Sequence, residues 1–135
     1  MNRIFVYGTL MKKANHPMYG VLARNASFIG AGTIAGELYD LGSYPGVFIR
    51  EGCIDRVIGE VYELNAETAA EAWRTLDAYE MCGPTDPEPH LYQKQSILVS
   101  LHDVTETAAA IYVLRTVPLH AVLIPGGDYL SRQAE

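Results

Sequence analysis

The stretch Ala31-Gly32-Thr33-Ile34-Ala35-Gly36-Glu37-Leu38-Tyr39 decides how the chain is read. Apolar and β-branched residues mark it as a strand, while glycines inside a strand mark sharp bends or places where another backbone comes close. Bends of that kind are what closing a small barrel requires. Shorter strands flank it. Residues 3–7, with the run Ile4-Phe5-Val6-Tyr7, form a buried strand that breaks into Gly8-Thr9-Leu10. Tyr44-Pro45-Gly46 is a turn leading into Val47-Phe48-Ile49, and Val57 to Leu64 is a further strand. Leu91–Leu101 and Ala108–Leu114 carry Ile97, Val99, Leu101, Ile111 and Val113 at two-residue spacing, joined by a hairpin connection.

Helical signals are fewer. Pro17 to Asn25 reads as a short irregular or helical piece. Asn65 is a good N-cap for an alanine-rich helix through residues 66–80, with an apolar stripe at Ala69, Trp73 and Leu76. Met81 to His90 holds one glycine and three prolines, which predicts a loop long enough to act as a lid or binding loop. The tail from Val117, with Pro118, Pro125 and Gly126-Gly127, reads as packed irregular chain. About six short strands and one main helix predict an α+β fold with a closed or strongly curved sheet, in one domain over residues 1–135.

Bulk properties exclude several functions. Ten basic and sixteen acidic side chains give a net charge of −6, and the basic residues form no stripe, so nucleic acid is not expected as a partner. No apolar run approaches the ~20 residues that span a bilayer, and the N-terminus lacks a signal-peptide pattern, so no membrane association and a cytoplasmic location are expected. Cys53 and Cys82 stand alone and read as ordinary reduced thiols. His16, His90, His102 and His120 form no ligand pattern, and neither a phosphate-binding glycine motif nor a nucleophile motif occurs. No metal is expected.

One carboxylate stands out. Glu80 follows Trp73 by seven residues and Leu76 by four, which places it on the apolar stripe of the helix. Burial and the negative end of the helix dipole would both raise its pKa, the usual way a carboxyl becomes an acid/base near neutrality. A helix ending one turn earlier would leave Glu80 in solvent instead. On the strand Val57–Leu64, Glu60 shares a face with Ile58, Tyr62 and Leu64, and Glu63 with Val57 and Val61. Pairing with a tyrosine hydroxyl or backbone amides is the ordinary fate of such an acid.

Five motifs then carry a resemblance: Val6-Tyr7-Gly8-Thr9-Leu10, Tyr39-Asp40-Leu41-Gly42-Ser43-Tyr44-Pro45-Gly46, Gly59-Glu60-Val61-Tyr62, Leu76-Asp77-Ala78-Tyr79-Glu80 and Leu91-Tyr92-Gln93-Lys94. Their order resembles that of the gamma-glutamylcyclotransferase-like family, with its gamma-glutamylamine cyclotransferase and plant avirulence-induced members. The resemblance implies a small mixed β-barrel with flanking helices. It also implies a cofactor-free enzyme that releases 5-oxoproline from a small γ-glutamyl compound. By the same resemblance the amides of Tyr7, Gly8, Thr9 and Leu10 hold the substrate α-carboxylate, and Glu80 is the catalytic acid/base. Two departures stand against the family pattern. Lys94 replaces the frequent arginine, offering a point charge without a bidentate fork. The loop at 81–90 is extended. Two other readings use the same residues: a non-catalytic small-molecule binder, and an interaction protein that works through the 81–90 loop.

Overall fold

The computed structural model describes residues 2–8, 19–42, 44–80, 82–83 and 86–129. Its elements are β1 (Arg3–Val6), α1 (Tyr19–Asn25), β2 (Ala26–Ala35), β3 (Glu37–Asp40), β4 (Pro45–Phe48), β5 (Arg56–Leu64), α2 (Ala69–Tyr79), β6 (Tyr92–Leu101), β7 (Glu106–Leu114) and β8 (Val122–Leu123). Five strands close a barrel in the order β1-β5-β2-β6-β7, and the parallel pairing of β1 with β7, Ile4 opposite Ala110, shuts it. A second sheet, β4-β3-β8, is antiparallel throughout. The expected α+β class with a mixed barrel is what the chain adopts.

The glycine reading of the opening stretch holds in detail. Gly32 lies opposite Leu101, and a Cβ there would sit 2.6 Å from the Ser100 carbonyl oxygen, so only glycine lets β2 and β6 approach this closely. At Gly36 the stretch divides into β2 and β3, and its second half leaves the barrel for the smaller sheet. Upstream, β2 starts at Ala26, with a register shift between Phe28 and Gly30.

Strand alternation sorts the core in two. Phe5, Ile34, Val57, Val61, Val99, Ile111 and Val113 belong to one buried cluster, which takes no residue from α1 or α2. Ile4, Val6, Tyr62, Leu64, Tyr92, Tyr112 and Leu114 form the other, where Val21 and Leu22 of α1 and Ala69, Ala72 and Leu76 of α2 cover the barrel. The helix is shorter than expected at its start. Asn65 is not its N-cap: its carbonyl accepts the Thr68 N–H at 3.1 Å in a preceding turn, and Thr68 takes the cap position without a side-chain cap bond. A further difference lies in the tail, where Val122 and Leu123 pair with Asp40 and Tyr39. Among the described residues no helix is long and apolar enough to cross a membrane.

Candidate active site

The C-terminal ends of β1 and β7 and the start of β6 form one rim of the barrel, and three tyrosines define it. The Tyr7 hydroxyl donates to the Tyr112 carbonyl at 2.5 Å and accepts the Val47 N–H at 3.2 Å. The buried Tyr92 hydroxyl donates to the Pro45 carbonyl. Together they pin β4 to the rim. Gly8 follows Tyr7 at φ +85°, and a Cβ there would lie 2.5 Å from Pro45 Cγ. Positive φ and the lack of space both demand glycine. Thr9 and Leu10, the other half of the expected substrate loop, lie outside the described residues.

Helix α2 delivers Glu80 to this rim. The Glu80 N–H still donates to the Leu76 carbonyl, at 3.0 Å, so the backbone remains helical (φ −82°, ψ 0°) and the side chain stays partly buried. Burial pushes its carboxyl up to about 7. Desolvation is the cause of that rise. The Glu80 charge reaches the hydroxyls of Tyr7, Tyr92 and Tyr112 and the Cys82 thiol, adding to the larger effect of burial in raising each. Cys82 is pushed up to about 11, so it remains a thiol at neutral pH. Tyr92 also feels Tyr44, Tyr79 and Tyr129. The rim therefore combines one group that exchanges a proton near pH 7 with neutral hydroxyls, those of Tyr7 and Tyr92 fixed on backbone carbonyls and that of Tyr112 on the Asp77 carboxylate.

Of the residues singled out in the sequence, the fold brings Tyr7, Gly8 and Glu80 together. Glu60 accepts the Tyr62 hydroxyl at 2.9 Å, the ordinary fate of such an acid, and Glu63 is exposed and paired with Arg3 at 2.8 Å. Lys94 is occupied: its ammonium lies 3.1 and 3.2 Å from the two Asp77 carboxylate oxygens and 4.3 Å from the centre of the Trp73 ring. Glu37, Cys53 and Asp55 bring possible ligand atoms within 4.8 Å of one another, but Glu37 already pairs with Arg50 at 3.1 Å. Sequence reasoning assigned no task to Asp77, Tyr92 or Tyr112. For the two tyrosines the signal is cross-strand: Tyr92 lies opposite Leu114 and Lys94 opposite Tyr112, pairs that appear only once β6 and β7 are in register, and Asp77 of α2 reaches them only through the docking of the helix.

The sequence model described as "Gamma-glutamyl cyclotransferase, AIG2-like" matches residues 4–131. Among solved structures, YkqA from Bacillus subtilis is similar at 26% identity and TM-score 0.72, over 98% of this chain and 40% of YkqA. This chain thus spans about two fifths of that protein. An aig2-like protein from Mus musculus is similar at 25% identity and TM-score 0.72, over 96% of this chain and 88% of that one. An uncharacterized protein from Pyrococcus horikoshii, PH0828, shares the fold at 24% identity and TM-score 0.66, over 99% of this chain and 94% of its own. No curated protein matches the chain.

Proposed function

Because the chain belongs to the gamma-glutamyl cyclotransferase, AIG2-like family, we propose that it cyclises a small γ-glutamyl compound to 5-oxoproline and releases the attached amine. The observation that carries this reading is Glu80, a carboxyl raised to about 7 by burial and in electrostatic reach of Tyr7, beside the Gly8 turn. In the reaction the substrate α-amine attacks its own γ-carbonyl carbon. A ring C–N bond forms, the bond to the departing amine breaks, and the two protons that the α-ammonium gives up pass in turn through Glu80 to the departing nitrogen, which leaves as an ammonium. A base must be ionised to accept the proton and acidic enough to return it, which a carboxyl titrating near neutrality satisfies.

Positioning is the larger demand. Folding a flexible γ-glutamyl chain into a ring-closing conformer is worth about 7–11 kcal/mol through effective molarity, while one acid/base adds roughly 10²–10⁴-fold. In this reading the amides of Tyr7, Gly8, Thr9 and Leu10 hold the α-carboxylate. No cofactor takes part. The test is a panel of γ-glutamyl amides and peptides incubated with the protein, with 5-oxoproline and free amine both quantified. Equal amounts of both products from at least one substrate are expected. Saturable binding with no consumption of any compound refutes the reading in favour of a binding protein.

A further inference from the structure

Glu80 lies just past the last residue of α2, where a helix end ordinarily frays. The polar structure around it is specific. Asp77, one helical turn earlier, accepts the Tyr112 hydroxyl at 2.5 Å and the Lys94 ammonium on both carboxylate oxygens. Lys94 and Tyr112 are directly paired across β6 and β7, so one carboxylate ties the helix to two barrel strands at a single rung. Trp73, four residues before Asp77, lies under the same ammonium, so Lys94 is gripped by two side chains of one helical face. The Asp77 main chain acts as well. Its carbonyl accepts the Cys82 N–H at 3.0 Å, closing a turn that contains Glu80. Tyr112 in turn accepts the Tyr7 hydroxyl on its carbonyl, which joins the cluster to the Gly8 turn.

We propose that Trp73, Asp77, Lys94 and Tyr112 form a clasp that positions Glu80 against the Tyr7–Gly8 turn, making Asp77 and Lys94 positioning residues for the cyclisation. This inference rests on the proposed function. Lys94 takes no part in gripping substrate, because both its partners belong to α2. A point charge suffices for that task, and an arginine, whose fork fits a carboxylate bidentately and whose plane stacks on an aromatic ring, keeps the charge and both partners. Loosening the clasp would leave substrate binding at the Gly8 turn intact and misplace the proton carrier, and a misplacement of about 1 Å costs on the order of 10²-fold in rate.

The experiment measures kcat and KM for 5-oxoproline release by the wild type, Asp77→Asn, Lys94→Met and Lys94→Arg, with thermal unfolding of each. The expected result is a fall in kcat of about 10²-fold for Asp77→Asn and Lys94→Met, with KM unmoved, and recovery in Lys94→Arg. A rise in KM at constant kcat would make Lys94 a substrate ligand and overturn the clasp. Unchanged kcat with a lowered unfolding midpoint would reduce it to ordinary stabilisation, and a Lys94→Arg variant as slow as Lys94→Met would overturn it too. A wild type that releases no 5-oxoproline refutes the proposed function itself, and the clasp with it.

Discussion

Replacing Glu80 by glutamine separates the cost of holding a carboxyl in the rim from its use. In the folded chain the group titrates at about 7 because of burial, against an ordinary 4.5. Between those values the folded state binds more protons than the unfolded one, so stability falls as pH rises and the loss is complete once pH exceeds the folded value. At about 1.36 kcal/mol per pH unit, that loss amounts to about 3 kcal/mol. Glutamine keeps the shape and never ionises. Urea unfolding of wild type and Glu80→Gln, repeated at intervals from pH 4.5 to 8.5, is the direct assay. The two proteins should be nearly equally stable at the acid end, and the variant should gain steadily until it is about 3 kcal/mol the more stable at the alkaline end. In a thermal scan at the alkaline end the same gap is about 10 °C. Other titrating groups are common to both proteins and cancel in the difference. A difference that stays constant across the range would show that Glu80 titrates as an ordinary surface carboxyl, and the reasoning would fail.

Two further substitutions probe the rim. Gly8→Ala adds a Cβ 2.5 Å from Pro45 Cγ at φ +85°, and should cost about 1–3 kcal/mol in urea unfolding and raise KM for a γ-glutamyl substrate; unaltered stability and KM would remove Gly8 from the site. Tyr92→Phe deletes the donor to the buried Pro45 carbonyl and should lower stability by about 1–3 kcal/mol with no change in the urea m-value. A neutral outcome there would mean that packing and the bond from the Val47 N–H to the Tyr7 hydroxyl suffice to hold β4 to the rim.

The parts of the fold legible in the sequence are those with a continuous or alternating apolar signal. β1 buries Ile4, Phe5 and Val6 in a row and β7 buries Ala109 to Leu114, so both read as apolar runs, while β5 buries Val57, Gly59 and Val61 at alternate positions, and the closing bends are written in Gly32 and Gly36. The start of β2 was hidden because Ser27, Phe28 and Ile29 are all exposed and the register shifts just beyond them, so no two-residue period survives. β8 is two exposed residues, too short for any period. Asn65 misled as a cap because local propensity does not register the extra turn between Asn65 and Thr68. At the candidate site, Glu80 is legible as a charge on an apolar stripe and Gly8 as the break after a strand, while the roles given to Tyr7 and Gly8 come from the family resemblance. Asp77, Lys94 and Tyr112 break none, and their meeting is a property of strand register and helix docking.

The most direct test is the pH dependence of kcat for 5-oxoproline release by the wild type and Glu80→Gln on one γ-glutamyl amide. The wild-type rate should rise with pH and level off through about 7, where the Glu80 carboxyl ionises. Glu80→Gln should be slower by roughly 10²–10⁴-fold and lack that limb. A variant that retains the wild-type rate and the wild-type pH profile would contradict Glu80 as the proton carrier.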